Sequence, residues 1–382
     1  MKSVYLDSAA TTQVREEVIN DIQDVLSHSY GNPSSTHAFG RASKTIVETT
    51  RKTIAKYLNA LPQEIIFTSG GTEADNMILR CAVRDGDVKT IITSAIEHHA
   101  VLHTVEELKS EYGIRVAYVK LQACGTPDYD HLEQLLAENN DKKLVSLMHV
   151  NNEVGNILDI QHVAALCKAH NALFHSDTVQ SIGHYEWDVQ QIPIDFMTAA
   201  AHKFHGPKGV GFAYIRKDSN LKPLIFGGAQ ERGYRAGTES VHNIKGLETA
   251  FKLAYDNLNE ERTYVQGLKD YFKSQLEAAI PAVKFNGNCH DNTKSTYTLI
   301  NACLPMSPEK ALTLPFQLDL KGIACSKGSA CQSGSGKGSH VLDHILSEED
   351  KQKPSIRFSF SKFNTKEEID YVVAVLKEFV AS

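Results

Sequence analysis

From about residue 13 the chain alternates helical segments with short apolar runs, and this alternation restricts its fold more than any single residue does. The runs fall at 64–68, 90–93, 144–148, 172–175 and 211–215. Each has the length of a strand, and strands separated by helices assemble side by side. The pattern predicts an α/β fold, a mainly parallel sheet with helices on both faces.

At 382 residues the chain exceeds one ordinary core, which implies two domains. A long helical pattern fills 240–279, with Leu247, Ala250, Phe251 and Ala254 on one stripe and a polar patch at 256–261. The domain change is expected at this patch. A large domain then covers 13–258, and a smaller one takes 1–12 plus 259–382. Within the smaller one, 295–300 is strand-like, 326–339 is a Gly/Ser-rich loop, and 365–380 is a closing amphipathic helix.

Hydrophobic residues make up 42% and charged residues 23%, and the formal net charge is −6. No basic field gathers phosphates, so direct nucleic-acid binding is not expected. Seven cysteines (81, 124, 167, 289, 303, 325 and 331) form no Cys-x-x-Cys pair, which argues against a disulfide framework and against a metal site. The first residues lack the apolar stretch of a signal peptide, and no run reaches the ~18 residues of a membrane span. A soluble, cytoplasmic protein is expected.

Three segments carry chemistry. In 201–209, Lys203 stands among His202, His205 and Lys208. An amine must be deprotonated to attack an aldehyde, and partial desolvation beside other cations favours that state; the same segment alone also reads as a strand end, a Gly-Pro turn and a solvated lysine. In 67–76, Gly70, Gly71 and Thr72 lead a strand into a helix, which gives either a phosphate seat of free N–H groups and a hydroxyl or an ordinary capped turn. Asp177 closes an apolar strand, where open sheets place their ligands. It can pair with a protonated pyridine nitrogen or cap a helix. In combination the three indicate pyridoxal 5'-phosphate.

With these residues in place the chain resembles the class-V aminotransferase group of pyridoxal-phosphate enzymes, and within it the cysteine desulfurases. The resemblance covers almost the whole chain and includes 5–12, 30–37, 97–101, 149–155 and 235–238. It implies a fold-type I transferase with a large mainly parallel-sheet domain and a smaller α+β domain. By the same resemblance Lys203 is the Schiff-base lysine, Asp177 the pyridinium partner, and Gln180 a donor to the ring hydroxyl. His98 stacks on the ring and moves protons. Gly71, Thr72 and His202 hold the phosphate, with Thr238 reaching in from the second subunit of a homodimer. Arg357 binds the substrate carboxylate through two parallel hydrogen bonds, and Asn152 assists at the carboxylate or the cofactor. Ala200 stands where many members carry serine, and Ser361 where a glycine is usual, so a weaker hold on the cofactor and a different local turn are expected.

Residues 326–339 are small and polar around Cys331, a composition expected to be mobile and exposed. The resemblance implies that Cys331 takes the sulfur of L-cysteine as a persulfide, releasing L-alanine, and hands it to an acceptor protein. Lys327 and Lys337 would favour its thiolate. The loop's length matches members that deliver directly to partners, and Cys325 reads as a core residue. The acceptor stays open between an iron–sulfur scaffold and another sulfurtransferase serving thiamine, molybdenum-cofactor or transfer-RNA thiolation; the short end after the last helix weighs against the scaffold. A selenocysteine lyase, an aminotransferase of the same fold and a non-catalytic scaffold are the alternatives.

Overall fold

The computed structural model describes residues 3–219, 221–327 and 338–381. Its strands are β1 (Val4–Tyr5), β2 (Ile65–Thr68), β3 (Thr90–Thr93), β4 (Arg115–Tyr118), β5 (Lys143–Ser146), β6 (Leu173–Asp177), β7 (Phe196–Ala200), β8 (Gly211–Ile215), β9 (Lys284–Phe285), β10 (Leu299–Cys303), β11 (Ile323–Ala324) and β12 (Ser355–Ser359). The helices are α1 (Glu16–His28), α2 (Ala38–Leu58), α3 (Gly71–Arg84), α4 (His99–Tyr112), α5 (Tyr129–Ala137), α6 (Ile160–Ala169), α7 (Val241–Asp256), α8 (Leu258–Ala279), α9 (Pro308–Leu320), α10 (His340–Ile345), α11 (Glu348–Lys351) and α12 (Lys366–Ala381). No described helix is long and apolar enough to cross a membrane.

Seven strands form the main sheet in the order β2-β8-β7-β6-β5-β3-β4. The pairs β3–β4, β3–β5, β5–β6 and β6–β7 are parallel, whereas β8 runs antiparallel to both β7 and β2. Two reversals restore the direction, so β2 points the same way as β7. The carboxyl ends of β2, β3, β5, β6 and β7 therefore share one edge, the side on which open α/β sheets bind ligands. The expected mainly parallel sheet is present.

A second core lies apart from this sheet. It gathers Val4 and Leu6 with Val265, Leu268, Phe272 and Leu276 of α8 and with Ile356, Phe358 and Phe360. The spacing of the α8 residues, three or four apart, gives that helix one apolar stripe. Phe272 meets Phe358 and Phe360 at ring-centroid distances of 4.8 and 5.5 Å, and Phe272→Ala is expected to cost about 3–5 kcal/mol. Beside the stripe the three-stranded sheet β12-β10-β9 carries Arg357.

Details differ from the sequence reading where local chemistry intervenes. The pattern at 240–279 is two helices, because Asn257 donates Nδ2 to the Leu253 carbonyl at 2.8 Å and takes non-helical torsions. The strand expected from 295 begins at Leu299; ahead of it Thr296 spends its N–H on the Gly155 carbonyl. Residues 62–64 form a 3-10 turn, so β2 starts at Ile65. Two strands of the main sheet carried no clear signal: β4, a sheet-edge strand with Arg115 and Tyr118 exposed, and β7, which ends in two alanines; the two-residue strands β1, β9 and β11 outside it carried none either.

Candidate active site

A cavity of about 200 Å³ opens at the shared strand edge. One wall is the passage from β2 into α3. Gly70 adopts φ +153°, a conformation closed to residues with a Cβ, and a Cβ on Gly71 would lie 2.6 Å from Val179 Cγ2. Gly71 and Thr72 thus open the helix directly against the cavity. The first-turn N–H groups of a helix lack intrahelical partners and sit at its positive end. This is an anion seat.

Asp177, the last residue of β6, lines the same cavity and is buried. It is a strand residue whose Oδ1 takes the Val179 N–H at 2.9 Å and the Thr198 hydroxyl at 3.4 Å. Behind it lies Asp75, which the sequence reading missed although it sits four residues after Gly71 and so on the same side of α3. Its Oδ1 has no hydrogen bond among the described residues and stands 3.4 Å from His175 Nε2, likewise unbonded. Burial, helped by the nearby Asp177, raises the Asp75 carboxyl well above the usual range, and burial pushes His175 down to about 3. Burial, with Asp177 nearby, pushes Glu97 up to about 8, against the hydrogen bonds it accepts from Ser94 Oγ and the Met148 N–H.

Lys203 ends a short 3-10 turn, Ala201–Lys203, that follows β7. The segment 9–12 wraps this turn: Nζ donates to the carbonyls of Ala9 (2.6 Å) and Ala10 (2.9 Å), and Thr12 Oγ1 donates to the His202 carbonyl at 2.9 Å. His202 Nδ1 lies 3.2 Å from Thr11 Oγ1, and burial, then Lys203 and Lys208, lowers its ring to about 4. Gln180 Nε2 donates to the Ala9 carbonyl at 2.9 Å. All three residues line the cavity, as does Ala200.

His98 caps α4: its Nδ1 accepts the Ala100 N–H at 3.2 Å. The proton of the neutral ring is therefore on Nε2. Burial lowers its pKa, against the opposing pull of Asp177. Arg357 reaches the cavity from β12, donating Nη1 to the Asn152 carbonyl at 2.7 Å and Nη2 to Asp7 Oδ1 at 2.8 Å, while its buried Nε has no partner among the described residues. The two terminal nitrogens each hold a protein oxygen, an engagement the sequence did not anticipate. Asn152 lines the cavity beside it.

Thr238 is exposed and does not line the cavity of its own chain. Cys331 lies outside the described residues. The flanks of that segment are described, and both stand beside the cavity. On one side Ser326 donates Oγ to Asp7 Oδ1 at 2.9 Å and exchanges backbone hydrogen bonds with Arg357. On the other, Ser339 donates to Glu153 and His340 Nε2 meets the Glu97 carbonyl at 2.9 Å. Cys325 packs against the second core, and burial holds its thiol up at about 12.

A flat heterocycle with an acidic phosphate and a basic ring nitrogen matches these donors. The α3 amides, Thr72 and His202 suit the phosphate, the Asp177 carboxylate suits a protonated ring nitrogen, and Lys203 offers the amine for an aldehyde. The structural sign of that fit is that Gly71, Thr72, Asp177, His202 and Lys203 all line one cavity, with Gly71 packed so closely on Val179 that a Cβ would collide with it.

The class-V aminotransferase family model matches residues 4–372. A cysteine desulfurase IscS of Dictyoglomus turgidum is 40% identical over 384 residues, covering 99% of this chain and 95% of that protein. Among solved structures, a NifS-like protein superposes with a TM-score of 0.90 at 35% identity over the whole of both chains. SspA in complex with cysteine gives 0.81 at 30% identity, over 95% of this chain and 100% of that one.

Proposed function

The chain belongs to the class-V aminotransferases and, within them, to the pyridoxal-phosphate-dependent cysteine desulfurases, and from that premise we propose how its residues divide the work. The reaction converts L-cysteine to L-alanine, and the sulfur is left on a cysteine of the protein. When bound, pyridoxal phosphate supplies the electron sink that lets the substrate's carbon–sulfur bond break.

Lys203 Nζ is the attachment point for the cofactor, and its release from the Ala9 and Ala10 carbonyls frees an amine that can accept and return one proton. Asp177 holds a proton on the ring nitrogen, with Oδ1 fixed by Val179 and Thr198. Gly71, Thr72 and His202 bind the phosphate, and Gln180 orients the ring. With Nδ1 spent on the Ala100 N–H, His98 would stack on the ring and use Nε2 to move protons at the reacting atoms. Arg357 and Asn152, which both line the cavity, bind the substrate carboxylate. The thiolate of Cys331 attacks the substrate sulfur, so that one S–S bond forms as the C–S bond breaks, and the persulfide goes on to an acceptor protein.

The observation that carries this reading is that both flanks of the Cys331 segment, Ser326 and Ser339, are tied to residues beside the cavity. A cytoplasmic homodimer, with Thr238 serving the second subunit's phosphate, completes the proposal; the exposure of Thr238 away from its own cavity supports it. The division into 13–258 and 1–12 plus 259–382 is part of the same reading, supported by the separate core around α8. Iron–sulfur cluster assembly or another sulfur-transfer route receives the product. With L-cysteine and a thiol reductant, the protein is expected to release alanine at a steady rate that Cys331→Ala abolishes. Undiminished turnover in Cys331→Ala would assign the fold to a lyase needing no cysteine.

A further inference from the structure

The segment after β8 contains two consecutive non-glycine residues in the left-handed region, Glu231 (φ 48°) and Arg232 (φ 55°). L-residues avoid this conformation, so its surroundings must impose it. Glu231 is buried and takes two bonds from Arg51, Nη1 to Oε2 and Nη2 to Oε1, both at 2.8 Å. Its Oε2 also accepts the Phe67 N–H at 2.8 Å. Arg51 in turn donates to the Ile65 carbonyl at 2.5 Å and lies 4.7 Å from the Phe67 ring centroid. The strained turn is thus clamped to β2, the strand that runs into the phosphate seat.

A second clamp follows. Arg235 grips Glu73, in the first turn of α3, at 2.8 and 3.2 Å, and Gly237 donates its N–H to Gln230 Oε1 at 3.2 Å. Thr238 comes next, exposed. Two buried or half-buried ion pairs and an unfavourable turn are more than a surface loop requires, and they end on a residue that does nothing in its own cavity.

We infer that Glu231 is a positioning residue for the other subunit's phosphate site: paired with Arg51, it fixes the loop that holds Thr238 out to the cofactor bound by a second copy of this chain. The inference rests on the homodimer reading above. Its alternative is that the Arg51–Glu231 pair only packs the loop onto its own β2.

The test titrates apo dimers with pyridoxal phosphate and, separately, with pyridoxal, which lacks the phosphate, following visible absorbance. Glu231→Gln is expected to weaken pyridoxal phosphate about ten-fold or more, the size of a lost charge-assisted hydrogen bond, and to leave pyridoxal unchanged. Hybrid dimers locate the effect. A Glu231→Gln protomer joined to a Lys203→Ala protomer should bind pyridoxal phosphate as wild type does, because the intact loop faces the intact lysine. A wild-type protomer joined to a chain carrying both substitutions should show the weakened affinity. The opposite assignment, or an equal loss for pyridoxal, overturns the inference. Thr238→Val, placed in the same two hybrids, tests the homodimer reading itself: no effect there would refute the crossing, independently of Glu231. Should Glu231→Gln fail to fold, Arg51→Lys is put through the same titrations, keeping the charge while losing the fork.

Discussion

The region around Arg51 and the region around Arg357 hide their guanidinium groups equally well, at 1% exposure each, yet they are satisfied differently. Arg51 spends Nη1 and Nη2 on Glu231, Nη1 also on Ile65, and Nε on Glu48. Arg357 lines a cavity with one carboxylate contact, one carbonyl contact and an Nε that has no partner among the described residues. A saturated buried cation belongs to the framework, and an unsaturated one beside a void is poised for a ligand. Lys269 supplies the limiting case: fully buried, it makes no ion pair among the described residues and donates only to Ser295 Oγ and the Thr296 carbonyl.

The sharpest way to break this contrast is to remove each arginine. Arg51→Ala leaves Glu231 buried without its partner and is expected to cost about 3–5 kcal/mol of stability, measured by denaturant unfolding, with the Michaelis constant for L-cysteine unchanged in the folded fraction at saturating pyridoxal phosphate. Arg357→Ala is expected to lower kcat/KM for L-cysteine by about 100-fold, about 3 kcal/mol, mostly through KM. If Arg51→Ala moved KM instead, the assignment of framework and site would be reversed.

Lys269 sharpens the comparison through pH. Burial lowers its pKa to about 8 from 10.5, so between those values the unfolded chain binds the extra proton and the folded chain does not. Stability should therefore rise with pH across this window, by up to about 1.4 kcal/mol per pH unit. Lys269→Met is expected to remove that slope in urea unfolding curves collected from pH 8 to 10.5; an unchanged slope would place its origin elsewhere. The smallest effect concerns Ala200, which lines the cavity at the end of β7. Ala200→Ser adds one hydroxyl toward the phosphate and should tighten pyridoxal phosphate about three-fold, within the range of one ordinary hydrogen bond.

The sequence was legible where a local rule decides the outcome. The strands at 90–93 and 211–215 are found residue for residue, because short apolar runs between turns have few other uses. Lys203, Asp177, Gly71 and Thr72, spread over more than a hundred positions, converge on one cavity because each ends or follows a strand whose carboxyl end lies on one edge. What escaped depends on distant partners. The Glu231–Arg51 pair joins residues 180 positions apart, and no periodicity announces it. Asp75 looks like any helical carboxylate until α3 is laid against β6. The Arg357 contacts to Asp7 and Asn152 appear only when β12 is brought against both the N-terminal segment and the connection after β5. The break at Asn257 needed one side-chain hydrogen bond to outweigh a continuous helical pattern.

The most direct measurement is the mass of the peptide containing Cys331 after a single turnover with L-cysteine and no reductant. Desulfuration through this residue requires that peptide to become heavier by one sulfur atom, in step with one alanine per active site. An unmodified Cys331 peptide accompanied by full alanine release, or the extra sulfur on Cys325 instead, would contradict it.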